Sequence, residues 1–136
     1  MAPSAPLTRF SSAVLDLTAL AALTGVAPLE PPEVESAIAP DVVLVDVVDL
    51  LRTYHDHRPA DVHGDLVLLG ASIAEWVPAS RYLAALTEMS CAQRELSVSD
   101  VAALALARTA RLPLITGLAE LAGLETDIAV FLLPRR

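Results

Sequence analysis

Three aspartates interrupt otherwise apolar stretches of this chain: Asp16 in AVLDLTAL, Asp46 in VVLVDVVDLL and Asp100 in LSVSDVAALALA. Burying an ionised carboxylate costs several kcal/mol unless something pairs with it, so their recurrence in core-like sequence points to a shared cation. Each has a plainer reading. Asp16 can cap a helix that begins at Leu17, and Ser97-Val98-Ser99-Asp100 fits a capping box with Ser97 as the cap. Asp46 lies inside a helical stretch, where its ordinary role is an ion pair with Arg52 or a place on a partly exposed face. Thr18 and Thr116, close to the aspartates in the pattern, are individually as consistent with structure as with chemistry.

Other side chains carry weaker signals. His55, Asp56, His57 and His63 share a polar segment that could be read as a zinc site, yet no cysteine supports it. Cys91 is expected as a semi-buried small residue with no activating neighbour. Trp76 and Tyr82 fit a core or an interface better than a base-stacking platform, since aromatics are 4% of the chain. Glu30, Glu33 and Glu35 read as a solvated acidic loop or, in a functional reading, as a border of the cleft that adds negative potential.

The elements that must position these residues follow from pattern. SAVLD is a short apolar strand, and LTALAALTG is a helix closing on Gly25. VAPLEPPEVESAIAP, with four prolines, is expected to be a loop with one turn near Val34–Ala37. A buried helix is expected from Asp41 to His55, with Asp46, Asp49 and Arg52 on a narrow polar stripe. HDHRPADVHGD reads as a polar connection, and LVLLGASIAEWVP as a helix followed by a strand around Glu75–Val77. Tyr82–Gln93 and SVSDVAALALARTAR are helical, the latter with Arg108 and Arg111 in its last turns. LPLITG is a strand, LAELAGL a short helix and DIAVFLLP a further strand. Strands alternating with helices imply an α/β fold with a parallel sheet, in which ligands gather at the carboxyl ends of strands. Asp16 and Thr116 fall at such ends.

Composition bounds the answer. The 136 residues, 54% of them apolar, suit one domain with a substantial core. Residues 1–11 are expected to be a flexible lead-in and 12–136 a single domain. Every apolar run is broken by charge or proline short of the ~18 residues that spanning a membrane requires. The N-terminal sequence has no signal-peptide pattern, so the expected compartment is the cytoplasm. All nine basic residues are arginine and the net charge is -8, which disfavours gripping nucleic acid by charge alone. Any such contact would be local, through Arg52, Arg58, Arg94 or a similar residue, or through a metal. The apolar excess favours self-association.

In order and spacing these motifs resemble the PIN-domain nucleases, in particular the small VapC-type toxins, over about Ala13–Pro134. AVLDLTALAAL is similar to that family's opening strand and turn, with Thr18 two residues after the aspartate. PDVVLVDVVDLLRTY is similar to its second acidic motif, with Asp46 where glutamate is usual and Leu51-Arg52 five positions on. LSVSDVAALALARTARLPLITG pairs the third acidic residue, Asp100, with a strand ending in Thr116-Gly117. The family typically places a fourth aspartate next, and this chain has Leu118. Glu120, two positions further, is expected to point about 200° away on a helix.

The resemblance implies a PIN-like central parallel sheet covered by helices on both faces. It implies an endoribonuclease that hydrolyses RNA phosphodiester bonds with Mg²⁺ or Mn²⁺, weakened or silenced by an incomplete acidic site. Asp16 and Asp100 would be the principal metal ligands, with Asp46 further off. Thr18 and Thr116 would bond a ligand water or a phosphate oxygen. The implied partners are RNA, a small antitoxin protein and a second copy of the chain as a homodimer. The alternative is a catalytically degenerate PIN-like domain acting as a dimerising or partner- or RNA-binding module.

Overall fold

The side chains of the first strand alternate between two apolar clusters, which sets the layering of the molecule. Ala13 and Leu15 pack with Leu20, Val43, Val47, Leu51 and Leu69. Val14 points the other way and packs with Tyr82, Met89, Leu104 and Leu121. This period-two alternation in a strand buried on both faces is the signature of a sheet sandwiched between helices.

The computed structural model describes residues 9–136. In chain order the elements are β1 (Phe10–Leu15), α1 (Leu17–Thr24), β2 (Val34–Pro40), α2 (Val43–Tyr54), α3 (Pro59–Ser72), β3 (Ile73–Val77), α4 (Leu83–Ala92), α5 (Val98–Ala110), β4 (Leu114–Thr116), α6 (Ala119–Ala122) and β5 (Val130–Leu132), with one 3-10 turn at Ala79–Arg81. The strands form a five-stranded sheet in the order β3-β2-β1-β4-β5, and every pairing is parallel. Helices α1, α2 and α3 supply the first cluster and α4, α5 and α6 the second. The α/β fold with a parallel sheet covered on both faces is therefore as the sequence implies.

Three local expectations are overturned. Val34–Pro40, expected as a loop, is β2, paired in register with β1 from Phe10↔Val34 to Val14↔Ile38. Its prolines fall before the strand, at 28, 31 and 32, and at its last residue, Pro40, where none removes an interior ladder bond. HDHRPADVHGD is not one connection, since α3 begins at Pro59, a proline tolerated in the first helical turn, and carries His63. Helix α2 forms where expected, but it is only half buried. Val43, Val47 and Leu51 face the core, whereas Val45 is 74% exposed and Tyr54 59%. The lead-in expected over 1–11 lies outside the described residues as far as Thr8, and β1 starts at Phe10.

Smaller points follow from packing. Cys91 is exposed rather than semi-buried. Tyr82 is fully buried, so it belongs to the core and offers no stacking surface. Among the described residues, no helix is long and apolar enough to cross a membrane.

Candidate metal centre at the carboxyl edge of the sheet

Strand order reverses direction at β1. The chain leaves β1 toward β2 on one side, while β4 lies on the other. Between the carboxyl ends of β1 and β4 a crevice forms, the switch point at which open α/β sheets bind ligands. Asp16 follows β1 directly and Thr116 ends β4, and the pairing Leu15↔Ile115 brings them face to face.

Asp16 is fully buried and caps α1. Its Oδ1 accepts from the Ala19 backbone N–H at 2.9 Å and from the Thr18 hydroxyl at 2.7 Å. Its Oδ2 accepts from the Thr116 hydroxyl at 2.5 Å. The Thr18 hydroxyl in turn receives the Gly117 N–H at 2.6 Å, and the Thr116 hydroxyl receives that of Leu118 at 3.0 Å. The two threonines thus lock the carboxylate and the β4–α6 turn into one network. Burial raises the pKa of Asp16 above its usual value, the Thr116, Ala19 and Thr18 bonds pull against this, and the charge of Asp100 raises it further.

Asp100 sits in the first turn of α5, where Ser97 caps the helix and accepts the Asp100 N–H at 3.2 Å. The Ser97 half of the capping box expected from SVSD is formed, and it does not exhaust the role of Asp100. The carboxyl is half-buried and its pKa is raised by that burial, against the Ser97 bond, with the charges of Glu120 and Asp46 adding to the rise. Asp100 is therefore the point at which the fields of Asp16, Asp46 and Glu120 meet.

Asp46 lies in the first turn of α2. Its expected partner, Arg52, binds Asp49 instead at 2.6 Å. Asp46 accepts from the Ser99 hydroxyl, a bond that ties α2 to α5. Ser99 was not singled out by sequence, although SVSD carries two serines, of which only one can be the cap.

Glu120 departs from its expected orientation. A separation of about 200° between positions 118 and 120 holds only within one helix, but Leu118 is the extended residue before α6, and the helix begins at Ala119. Glu120 thus enters on the first turn of a new element and acts electrostatically on Asp100. Leu118 has a packing role, half-buried against the cluster that contains Leu121 and Leu104.

Helix N-termini add to the setting. Asp16 at the start of α1 and Asp100 at the start of α5 lie at the positive ends of helix dipoles, which favour negative charge. Among the described residues, no Arg or His forms an ion pair with Asp16, Asp46, Asp100 or Glu120. Nor do three His, Cys, Asp or Glu side chains come together there as a ready-made metal cage. The histidines lie elsewhere, His55 bonded to Asp65 at 2.6 Å.

No family model matches the chain, and no curated protein matches it in sequence. Among solved structures it is similar to the crystal structure of a member of the VapBC family of toxin-antitoxin systems, VapBC-5, from Mycobacterium tuberculosis. The TM-score is 0.55 at 19% identity, over 91% of this chain and 98% of that one. At that identity the likeness speaks to architecture, and the chain has the PIN-like α/β fold that its motifs imply.

Proposed function

We propose that this protein is a PIN-domain endoribonuclease of the VapC type, which hydrolyses RNA with Mg²⁺ or Mn²⁺ held at the carboxyl edge of the sheet. One observation carries the reading. The pKa values of Asp16 and Asp100 are raised chiefly by burial, with the charge of Asp100 adding to the first and those of Glu120 and Asp46 to the second, and among the described residues no Arg or His forms an ion pair with any of the four. Such an arrangement has a physical rationale when a cation supplies the missing charge.

The donor set fits that ion. It consists of hard carboxylate and hydroxyl oxygens with no soft ligand, and Mg²⁺ keeps several waters while binding through one or two carboxylates, so a closed cage is not needed. When bound, the metal supplies charge neutralisation at the phosphodiester and a water of lowered pKa. Asp100 is the best-placed ligand. Asp16 already accepts three hydrogen bonds out of about four that a carboxylate takes, so it offers one open position, rigidly aimed by Thr18 and Thr116. Asp46, bonded to Ser99, and Glu120 add negative charge around Asp100. Thr116 acts through Asp16 rather than on a phosphate.

The toxin-antitoxin membership of the similar structure supports a small antitoxin protein as a partner and action in the cytoplasm. The exposed apolar side chains of α2 support a homodimer. A second reading, the degenerate module, is favoured by the same saturation of Asp16 and by Leu118, which commits the fourth acidic position to packing. The two separate in one experiment. Calorimetric titration with Mn²⁺ should show uptake that is lost in Asp100→Asn, and structured RNA should be cut only with Mg²⁺ or Mn²⁺ and not by that variant. Absence of both metal uptake and cleavage establishes the module instead, and cleavage that persists unchanged in Asp100→Asn overturns the assignment of the metal to Asp100.

A further inference from the structure

Beside Asp16, and separated from it by Thr18, lies an open cavity of about 330 Å³, whose lining includes Ala21, Val26, Leu50, Thr18, Gly117 and Arg135. Its size is within the range of about 300–1,000 Å³ typical of small-ligand sites. Most of its wall is aliphatic, contributed by α1, the segment after it and α2. Two features keep it from being ordinary surface relief. Thr18 and Gly117 form one end, and the Thr18 hydroxyl is the same group that donates to Asp16 at 2.7 Å. Arg135 stands on the cavity wall, positioned by the backbone bridge Leu29↔Arg135 and by the bond from Glu30 N–H to the Pro134 carbonyl at 2.8 Å. Its guanidinium pairs with no carboxylate among the described residues.

That last point separates it from two of the arginines expected to touch nucleic acid. Arg52 is engaged with Asp49 and Arg58 with Asp61 at 3.0 Å. In a chain of net charge -8, a phosphodiester approaching four carboxylates needs a local cation, and Arg135 is the one that lines this cavity. Glycine at 117 keeps the end of the cavity compact, because a Cβ there would stand 2.3 Å from Leu29 Cδ1 and 3.1 Å from Thr18 Oγ1.

We infer that this cavity is a nucleotide subsite for single-stranded RNA, with an unstacked base lying against the aliphatic wall of α1 and α2 and the adjoining phosphate paired to Arg135. The inference rests on the ribonuclease reading for the identity of the ligand. A nucleotide combines an apolar face with an anion one bond system away, which is the combination the cavity offers, and unstacked bases are the usual handle for recognising single-stranded RNA. A purely apolar side chain of a protein partner would leave Arg135 without a counter-charge.

The test is fluorescence anisotropy of the full chain with a short fluorescein-labelled single-stranded RNA in EDTA, where binding is read apart from metal-dependent cleavage. Arg135→Ala should weaken binding about fivefold, as expected for one exposed charge-assisted contact. It should also lower the slope of log K against log salt by about 0.7, the value for one phosphate on a single strand. Arg135→Lys should recover most of the affinity, and Leu50→Trp, which narrows the mouth, should weaken binding with an unchanged melting temperature. No RNA binding, or binding equal to native in both Arg135→Ala and Leu50→Trp, overturns the subsite. Capture of an apolar acidic peptide in place of RNA also overturns it and makes the cavity a protein-docking site. Arg135-dependent binding without any Mn²⁺-dependent cleavage keeps the subsite and removes the nuclease reading. Cleavage with Arg135-independent binding does the reverse.

Discussion

Asp16 and Asp100 each hold a proton more tightly in the folded chain than the ordinary value of 3.8 would give, chiefly through burial. Between that value and the folded pKa the native state carries more protons than the unfolded one, so stability falls as pH rises. Their contribution is therefore most favourable below 3.8 and is lost as pH climbs through the folded pKa values. Asp100→Asn removes the charge that opposes Asp16, Asp46 and Glu120, and the backbone N–H of residue 100 still donates to the Ser97 hydroxyl. In EDTA near neutral pH this variant should melt about 2–4 °C above native, a scale typical of relieved functional-site strain. The native melting temperature should decline as pH rises above 3.8, and the decline should flatten in the variant, as read by circular dichroism. A variant that melts below native at neutral pH would remove the repulsion that carries the functional reading.

Elements, rather than single residues, bring the acidic groups together. Asp46 arrives on α2, Asp100 on α5 and Glu120 on α6, and the Ser99–Asp46 bond clips two of these helices across opposite cores. The β4–α6 turn is the tightest point of this assembly. Gly117→Ala would push a methyl group into Leu29 Cδ1 and against Thr18. Leu29 can swing its chain end away, but Thr18 is held by Asp16 and the Gly117 N–H. The expected cost is about 1–3 kcal/mol of overpacking, read as a lower urea midpoint at unchanged slope. Adding Leu29→Ala should return part of it, because the two positions share the contact. Equal midpoints for Gly117→Ala and native would mean that the turn is looser than described.

At the scale of the molecule, the apolar excess is only partly spent on the two cores. Val45 is 74% exposed on α2 and Val67 58% exposed on α3, beside the exposed Tyr54 and Leu68. Apolar side chains left in water on adjoining helices favour burial against another surface. Sedimentation of the native chain should show a dimer at micromolar concentration, and Val45→Glu should shift it toward the monomer without lowering helix content. A native chain that sediments as a monomer at every concentration would leave those side chains to a different partner.

The sequence by itself determined most of the helices and strands, the parallel sheet and the caps at Asp16 and Ser97, because these depend on local period and on cap chemistry that neighbouring residues complete. Strand β2 was hidden, since prolines crowd its approach and the pairing with β1 that makes it a strand lies 24 positions away along the chain. Helix α3 was hidden by a polar start whose proline reads as a breaker when it is in fact the opening turn. Only the tertiary structure decided that Asp46 bonds Ser99 rather than Arg52, that Leu118 belongs to a core, and that Glu120 acts on Asp100. Each of these pairings joins elements distant in sequence, and their distances are set by how helices seat on the sheet. Asp16, Asp46 and Asp100 were visible as charges out of place, and strand order set Asp16 beside Thr116 at the carboxyl ends of β1 and β4.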